Sequence, residues 1–482
     1  MQKNSPRVTV VGTMEFVGSS THKKHKAKAK DDIISNLPES LITRILSFLP
    51  TKDAVRTSVL SKRWIEKWTL ITKVELNDSV LYSSKKKKSS SSEKQCFINF
   101  VNRVLLFTGS HSMESFSLVI TSKHDLTLLN TLITYILKKR VRRLSISLRE
   151  GLLFSALTSH YLFNHATCLE QLVLATSHFA AIRIKIPLYK IYGVFLFTNL
   201  KLLKLSRVVF TVDKSQGIVF PVLKKFETHN CSWLSAHDVT LELKAPLLES
   251  VYITQDYMSL IDQPRLCKIK FSDSNLKEFT YRGDDLSQAI VLSDPSSACN
   301  ATVSITLSNN RNIVQGSESC VCLLLKQFSQ VKRIKFEVYK FWIQPNLASV
   351  PKFAMLSYLE LVGLVSVEVL LCLIQKCPVL NTLVFKEILE FNHELRNSAA
   401  VPDCLASTLQ VVKFGDVHGD EHELILAKYL MENGTVLERM SFSFADAPLG
   451  KSNSKVIEEF KEKLYSFKKG ISFAILEFSY DY

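Results

Sequence analysis

Leu200-Lys201-Leu202-Leu203-Lys204-Leu205 carries a pattern that recurs along most of the chain. Leu203 and Leu205 flank a lysine, and such alternation of apolar and polar residues predicts a short β-strand with one buried face. Runs of similar form begin at Leu169 and Leu223. A strand of this length cannot bury its apolar face alone, so the recurrence predicts units that stack on one another.

The second apolar position of the pattern serves as a marker for each unit. The markers are Leu144, Leu172, Leu203, Phe226, Val251, Phe279, Ile334, Leu359 and Leu383. They lie 23 to 31 residues apart, except for one step of 55 between Phe279 and Ile334. Because that step is about twice the others, we interpret Val303-Ser304-Ile305-Thr306-Leu307 as a further unit inside it.

This period and the single short strand per unit resemble leucine-rich repeats. The resemblance implies one strand and a return segment, often helical, in each unit, and stacking of the strands into a curved parallel sheet. Asn230 after one strand and Cys377-Pro378 before Leu380 fit such repeats, although the usual asparagine is mostly missing. The alternative is a non-repetitive α/β domain rich in leucine.

A second informative segment, LPESLITRILSFLP, covers residues 37–50. Four of its apolar residues follow the spacing i, i+3, i+4 and i+7, which is one stripe of a helix. They are Ile42, Ile45, Leu46 and Leu49. Pro38 suits the first helical position, and Pro50 ends the helix.

Two further short helices are predicted after Pro50. Thr51 or Asp53 can cap the second helix, and Ser61 can cap a third that carries Trp64 and Trp68 at i, i+4. Some forty residues with this much apolar surface fold marginally unless they pack on something. The composition of the segment therefore predicts a partner surface.

These residues resemble the F-box, through Leu37-Pro38, Ile45-Leu46-Ser47-Phe48-Leu49 and Val59-Leu60-Ser61-Lys62-Arg63-Trp64. The resemblance implies a three-helix unit that docks on a Skp-type adaptor, itself bound to a cullin. The residues implied in adaptor binding are Leu37, Pro38, Ile42, Ile45, Leu46, Leu49, Val55, Val59, Leu60, Ser61, Arg63 and Trp64. Some of them must instead join the helices to one another. The alternative is a helical mini-domain packed against its own chain.

The C-terminal part resembles the FBD region found at the end of many plant F-box proteins. The resemblance covers about residues 402–475 and rests on Val401-Pro402-Asp403-Cys404-Leu405, on the strand-like run 409–414 and on the run 436–442. Val412 and Met440 extend the marker series by steps of 29 and 28. A last helix with Ile457, Phe460 and Leu464 on one face would cap the apolar end of the stack.

The predicted fold class is α/β, with a small N-terminal three-helix F-box followed by a leucine-rich-repeat solenoid with a curved parallel sheet. The predicted domains are a flexible basic tail (1–30), the F-box (31–78), a Lys/Ser-rich linker (79–96), leucine-rich repeats (97–400) and an FBD-like region completing the solenoid (401–482). A chain of 482 residues has room for them.

The net charge of +16 is concentrated partly in two lysine runs, at residues 23–30 and 85–88. Both have the composition of solvated linkers, and the first is also compatible with nuclear import. Neither is interleaved with aromatic residues, so a nucleic-acid site is not favoured. No secretory signal or long apolar run is found, and ten scattered cysteines indicate reduced thiols in the nucleus or cytoplasm.

Catalytic and metal-binding patterns are missing from the sequence. No phosphate-loop, dinucleotide or nucleophile-elbow spacing occurs, and Cys372 and Cys377 lie in an apolar segment typical of core thiols. The best metal candidate, His418 with Asp420, Glu421, His422 and Glu423, is better interpreted as a capped helix start. We therefore expect no catalytic residue, no cofactor and no metal.

The predicted function is a substrate-recognition subunit of a Skp-cullin-F-box ubiquitin ligase. The F-box would bind the adaptor and, through it, a cullin, while the repeats would hold a target protein that the sequence does not identify. We expect no membrane partner. Two alternatives remain: a scaffold that binds the adaptor without ligase function, and a basic nucleic-acid-binding solenoid.

Overall fold

The computed structural model describes residues 37–80, 91–108, 113–164, 166–177, 181–186, 194–235, 238–255, 265–283, 290–307, 317–338, 349–363, 367–386, 401–445, 453–468 and 475–480. Both predicted lysine runs lie outside these residues. The predicted fold class is confirmed, because a helical N-terminal unit precedes a large parallel sheet built from repeats.

The largest element is one continuous sheet, with fifteen strands in the described part of the chain. In spatial order they are β1 (Lys73–Asn77), β2 (Ser115–Ile120), β3 (Arg143–Leu148), β5 (Gln171–Thr176), β8 (Leu202–Ser206), β11 (Lys225–His229), β14 (Ser250–Gln255), β17 (Glu278–Gly283), β19 (Thr302–Leu307), β20 (Arg333–Val338), β21 (Tyr358–Val362), β22 (Thr382–Lys386), β23 (Val411–Val417), β24 (Arg439–Phe444) and β25 (Ile475–Tyr480). Neighbouring strands are parallel and follow chain order, as in a solenoid.

The register of the sheet places the sequence markers side by side. Leu172 pairs with Leu144 on one side and Leu203 on the other. The unit predicted inside the long step is β19, where Val303 pairs with Phe279 and Ile334. The series also extends to Val74 and Phe116 at the start and to Leu476 at the end.

Two smaller sheets form the return segments in the middle of the solenoid. One contains β4 (Leu152–Leu153), β6 (Ile182–Lys185), β9 (Val208–Thr211), β12 (Ser232–Ser235) and β15 (Arg265–Leu266). The other contains β7 (Val194–Leu196), β10 (Gln216–Val219), β13 (Thr240–Lys244), β16 (Lys268–Ser272) and β18 (Ile290–Leu292). The often-helical returns implied by the resemblance are thus replaced here by strands.

The corner between β8 and β9, and the one between β11 and β12, each use a left-handed residue. Arg207 has a φ of 55° and Asn230 a φ of 52°. Their backbone N–H groups donate to the carbonyls of His229 and Thr254, each at 2.7 Å. Asparagine tolerates the left-handed conformation. Asn230 therefore stands at the turn directly after a strand, where the repeat pattern places an asparagine.

Helices occupy the return side at both ends of the solenoid. They are α1 (Glu39–Ser47), α2 (Thr51–Arg56), α3 (Ser91–Thr108), α4 (Leu126–Lys138), α5 (Ala156–Asn164), α6 (Ser317–Gln327), α7 (Val367–Gln375), α8 (Asp403–Ser407), α9 (Glu421–Asn433) and α10 (Asn453–Lys468). The helix α3 begins at Ser91, inside the segment predicted as a linker at 79–96.

The N-terminal unit differs locally from the predicted three helices. The third helix is replaced by two 3-10 turns, Lys62–Trp64 and Lys67–Leu70. Pro38 and Pro50 each stand immediately before a helix, at the cap position, because proline has no N–H to contribute there. The chain then enters β1, so the range predicted for the F-box, 31–78, contains the first strand of the large sheet.

The buried apolar residues of the helical unit and of the repeats form one continuous core. Near the C-terminal end this core contains a row of rings from successive strands. The centroids of Phe414 and Phe442 lie 4.8 Å apart, and those of Phe442 and Phe478 lie 5.7 Å apart. Phe460 and Leu464 of α10 are buried against this end, as the apolar face of the last helix predicts.

None of the helices in the described residues has the length and apolar character needed to cross a bilayer.

Candidate functional site

The helix α1 has apolar residues on two faces. Ile42 and Leu46 lie on the inner face and are completely buried in the common core. The outer face and the two residues that follow α1 carry four large apolar side chains that remain exposed: Leu41, Ile45, Phe48 and Leu49. Phe48 is the most exposed of them, at 77%. This face therefore has no covering element from the described part of the chain.

A second exposed row follows α2. Val59 and Leu60 are 85% and 63% exposed, and Ile65 is half-exposed. Val59 and Leu60 lie at the end of a 3-10 turn, Thr57–Val59. Two further 3-10 turns place Trp64 and Trp68 in the core and leave Ile65 between them outside. Together with the outer face of α1, these side chains make an apolar surface of seven large residues, which we call the docking surface.

Polar contacts fix the edge of the docking surface. Arg63 donates to the backbone carbonyl of Leu37 at 2.9 Å, and Lys67 is hydrogen-bonded to the Glu39 carboxylate. The hydrogen bond from Lys67 and its charge hold the pKa of Glu39 below its ordinary value. These contacts tie the start of α1 to the 3-10 turns, so that both rows of the docking surface keep one relative orientation.

The twelve residues predicted from the sequence are brought together in this unit but differ in exposure. Ile42, Leu46 and Trp64 are buried in the core, whereas Leu37, Val55 and Ser61 are half-buried. The exposed ones are Pro38, Ile45, Leu49, Val59, Leu60 and Arg63. The sequence prediction omitted Leu41, Phe48 and Ile65, which are exposed beside them. Phe48 could have been found from its place within the motif itself.

A buried polar network joins the ends of β1 and β2, the first two strands of the sheet. The Asp78 carboxylate is fully buried and accepts hydrogen bonds from the backbone N–H and the hydroxyl of Thr121, at 2.7 and 2.6 Å. It accepts the same pair from Ser122, at 3.0 and 2.6 Å. His124 Nε2 lies 3.4 Å from the carboxylate. Burial alone would raise the pKa of Asp78, but these four hydrogen bonds hold it below its ordinary value.

Comparison with known proteins agrees with this geometry. Residues 34–71 match the F-box domain, and residues 397–442 match the FBD. The chain is similar to an F-box/FBD/LRR-repeat protein of Arabidopsis thaliana, with 28% identity over 94% of this chain and 96% of the relative. It is also similar to an FBD-associated F-box protein of the same plant, with 26% identity over 86% of this chain and 88% of the relative.

The chain carries an F-box and an FBD, and over nearly its whole length it is similar to plant F-box/FBD/LRR-repeat proteins. In this F-box/FBD protein the docking surface lies entirely within the matched F-box residues. The FBD match covers α8, β23, α9 and most of β24, and these elements continue the sheet in register. The FBD is therefore a structural continuation of the repeats.

The acidic and histidine cluster of the FBD serves as a helix cap. Glu423 is buried, and its carboxylate accepts hydrogen bonds from the backbone N–H groups of His418, Gly419 and Asp420, at 3.1, 2.8 and 3.0 Å. Burial raises the pKa of this carboxyl despite the three donors. Across the residues with described positions, no group of three or more His, Cys, Asp and Glu side chains is arranged to hold a metal ion.

The outer face of the large sheet is the second broad surface of the F-box/FBD protein. Along many of the strands, buried residues alternate with residues that point away from the core, and in strands such as β3, β11, β17 and β24 the latter include polar side chains. Lys204 of β8 pairs with Glu227 of β11 at 2.9 Å, and His229 contacts Thr254 at 3.0 Å. The outward-facing residues of this sheet thus form ion pairs and hydrogen bonds with one another.

Proposed function

We propose that this protein is the substrate-recognition subunit of a Skp-cullin-F-box ubiquitin ligase. In this proposal the docking surface binds a Skp-type adaptor, and the outer face of the repeats holds the target. The observation that carries the proposal is the set of seven exposed apolar side chains on the F-box, where a soluble protein would ordinarily bury them.

The docking surface has the properties of the centre of a protein interface. Large apolar side chains dominate it, and charged residues such as Arg63 and Glu39 lie at its edge. In such interfaces a few buried side chains account for most of the binding energy. Phe48 and Leu60 are the best candidates, because they are large and among the most exposed before binding.

The continuity of the core gives the proposal its mechanism. The F-box shares its core with the repeats, and β1 follows it directly. A target held on the sheet would then keep a defined position relative to the adaptor and to the cullin beyond it. This raises the effective concentration of the target's lysines near a charged conjugating enzyme. The protein contributes positioning, while other subunits catalyse ubiquitin transfer.

We also place this function in the nucleus or the cytoplasm. A Skp-cullin-F-box ligase acts on proteins in those compartments, and the lysine run at residues 23–30 has the composition of an import signal. A fluorescent fusion of the full chain, compared with one in which those lysines are changed to serine, tests this placement. Signal in the secretory pathway would contradict it.

Adaptor binding is tested by co-purification of the full chain with a plant Skp-type adaptor. Phe48→Ser combined with Leu60→Ser should weaken binding by about a hundredfold or more, since two central apolar contacts are removed. The matched control is Leu153→Ser with Leu157→Ser, because these leucines are 63% and 56% exposed but lie on the repeats. Equal recovery of adaptor by both double variants would refute the assignment of the docking surface.

Ligase function requires a second measurement. The adaptor complex is offered to a cullin, and proteins that accumulate during proteasome inhibition are compared between cells with the wild-type chain and with the Phe48/Leu60 variant. We expect the adaptor complex to retain the cullin. We also expect at least one protein to accumulate on proteasome inhibition in cells with the wild-type chain and not in cells with the Phe48/Leu60 variant. Adaptor binding with no such protein would favour a scaffold without ligase function.

A further inference from the structure

A patch on the outer face of the sheet, spanning β20 to β23, collects positive charge around one carboxylate. The register aligns Lys335 with Glu360, Glu360 with Val384, and Val384 with Lys413, which makes one row across four strands. Lys386 lies two residues beyond Val384 on the same face. We call Arg333, Lys335, Tyr358, Glu360, Lys386 and Lys413 the basic patch.

Glu360 is the centre of the basic patch. Its side chain is only 13% exposed, and one carboxylate oxygen lies 3.3 Å from Lys335 Nζ and 3.9 Å from Lys386 Nζ. The other oxygen accepts a hydrogen bond from the Tyr358 hydroxyl at 3.1 Å. One carboxylate thus lies between two ammonium groups, whose side chains are 38% and 45% exposed and reachable from solvent.

An aromatic ring forms one side of the same patch. The Arg333 guanidinium lies 5.4 Å from the centroid of the Tyr358 ring. Burial, the nearby Glu360 charge and the hydrogen bond to it all raise the pKa of the tyrosine, so the hydroxyl stays protonated and remains a donor. Arginine and tyrosine are the residue types most often found at the centres of protein interfaces.

The balance of charge in this patch differs from that of the ion pair between Lys204 and Glu227 on the same face. Lys204 and Glu227 match one cation with one carboxylate. The basic patch has four cationic side chains, of which Lys335 and Lys386 lie next to Glu360. Glu337 lies near the end of β20, where the Thr306 hydroxyl donates to it at 3.0 Å. The positive excess attracts carboxylates, and the Tyr358 ring offers apolar contact.

We propose that the basic patch is where the target is recognised, and that it binds an extended, carboxylate-rich segment of the target protein. This inference rests on the proposed function, because it names the chemistry of the target that the repeats would hold. Lys335, Lys386 and Lys413 contact the carboxylates of that segment, and Arg333 with Tyr358 contacts an apolar or aromatic side chain within it. Glu360 keeps the lysines oriented in the free protein and competes with the incoming carboxylates.

The test measures fluorescence anisotropy of labelled twelve-residue peptides added to the full chain. The probe is built from Glu-Glu-Phe repeats, and the control peptide has lysine in place of glutamate. We expect the acidic probe to bind more weakly as salt rises and the lysine peptide not to bind. Changing Lys335, Lys386 and Lys413 together to serine should weaken binding by about tenfold or more, with each exposed contact contributing a factor of about 2 to 5.

A matched variant separates the patch from the general positive charge of the chain. Lys201, Lys204 and Lys225 are three lysines at the first strands of the middle repeats, and changing them to serine removes the same net charge. This variant should change affinity by less than about twofold. Equal weakening by the two triple variants, or no binding of the acidic probe to the wild-type chain, would overturn the proposal.

Removing the charge of Glu360 should strengthen binding of the acidic probe, whereas removing the lysines should weaken it. Glu360→Gln keeps the size of the side chain and an acceptor for Tyr358 but removes the competing charge. We expect it to tighten binding of the acidic probe about threefold at low salt. Weaker binding would show that Glu360 does not compete. Thermal unfolding confirms that each variant is folded.

Adaptor co-purification of the same variants distinguishes this inference from the proposed function. The patch variants should retain the adaptor, because the docking surface is unchanged. Patch variants that no longer bind the acidic probe but still co-purify with the adaptor support the inference. If the wild-type chain binds the acidic probe but never binds the adaptor, the proposed function is overturned and the peptide site is retained.

Discussion

The hydroxyl of Thr51 accepts a hydrogen bond from the backbone N–H of Glu75 at 2.7 Å. Thr51 is the first residue of α2 in the F-box, and Glu75 lies in the middle of β1, the first strand of the sheet. An edge strand ordinarily presents unpaired N–H groups that can pair with another chain. The F-box thus covers the edge of the solenoid while it displays its own docking surface on the other side.

Thr51→Val should destabilise the protein by about 1–3 kcal/mol, because it leaves the Glu75 N–H buried without an acceptor. The matched control is Thr57→Val, where the lost hydroxyl donates to the Ala54 carbonyl within the same short helical segment. That change should cost less than about 1 kcal/mol. Chemical denaturation gives both values, and amide exchange at Glu75 should accelerate only in the Thr51 variant. Equal effects would assign Thr51 a purely local role.

Asp78→Asn should weaken the connection between β1 and β2, the first two strands of the sheet. The amide can replace only one of the two acceptor oxygens, and its NH₂ group would face the donors of Ser122, which costs about 2–4 kcal/mol. Asp125→Asn is the control, because Asp125 caps α4 in the same loop and asparagine caps equally well. Limited proteolysis between β1 and α3 should rise in the first variant alone.

The same aspartate predicts a pH dependence with a defined sign. Since the pKa of Asp78 is lower in the folded state, its ionised form stabilises the fold at pH values above about 4, the ordinary pKa of the group. This contribution is lost as the pH falls through the lower folded pKa. The difference in unfolding free energy between wild type and Asp78→Asn should therefore be constant near neutral pH and shrink below about pH 4. A difference that grows on acidification would contradict the assignment.

The sequence predicts the strands from β3 to β24 of the large sheet because most of them alternate, as in Arg143–Leu148, and a one-residue shift would expose the buried face. The strands β1, β2 and β25 lie outside the predicted series. The strands of the smaller sheets were not predicted. Several of them are two to four residues long, and Ser232–Ser235 reads SWLS, which has no alternation. Their pairing depends on neighbouring units, and a single unit carries no signal of it.

The docking surface is a second feature of the structure that the sequence predicts only in part. Both faces of α1 carry large apolar residues, and only the packing of the core shows that Ile42 is inside and Phe48 outside. Helical periodicity predicts that a stripe exists, but an apolar stripe on each face leaves open which one is buried. The sequence could therefore predict a set of candidate residues in this segment without separating the buried ones from the exposed ones.

Gly419→Ala should destabilise the FBD. Gly419 has a φ of +85°, and a Cβ atom there would lie 2.9 Å from Cγ1 of Val456 in α10. The backbone strain and the contact together should cost about 1–3 kcal/mol. Adding Val456→Ala should recover only the steric part. Gly217→Ala is the control, since a Cβ in that strand would meet only the Glu242 carbonyl at 3.8 Å, and thermal unfolding should detect little change there.

Buried thiols should react far more slowly than exposed ones in the native protein. Burial raises the pKa of Cys404 and of Cys231 to about 11, and it raises that of Cys377 as well, whereas Cys96 is exposed on α3. Only the thiolate reacts with iodoacetamide, so at pH 8 we expect Cys96 to be modified first and Cys404 and Cys231 only after unfolding. Mass spectrometry of timed samples measures each site.

The same raised pKa values predict a loss of stability in alkaline solution. The thiols are neutral in the folded state at a pH where they ionise in the unfolded chain, so their contribution is complete below about pH 8.5 and falls as the pH rises towards 11. Cys404→Ala should reduce this alkaline slope while lowering stability near neutral pH, because it leaves a small cavity. Denaturation at a series of pH values separates the two effects. An unchanged slope in Cys404→Ala would mean that the thiol already ionises in the folded protein.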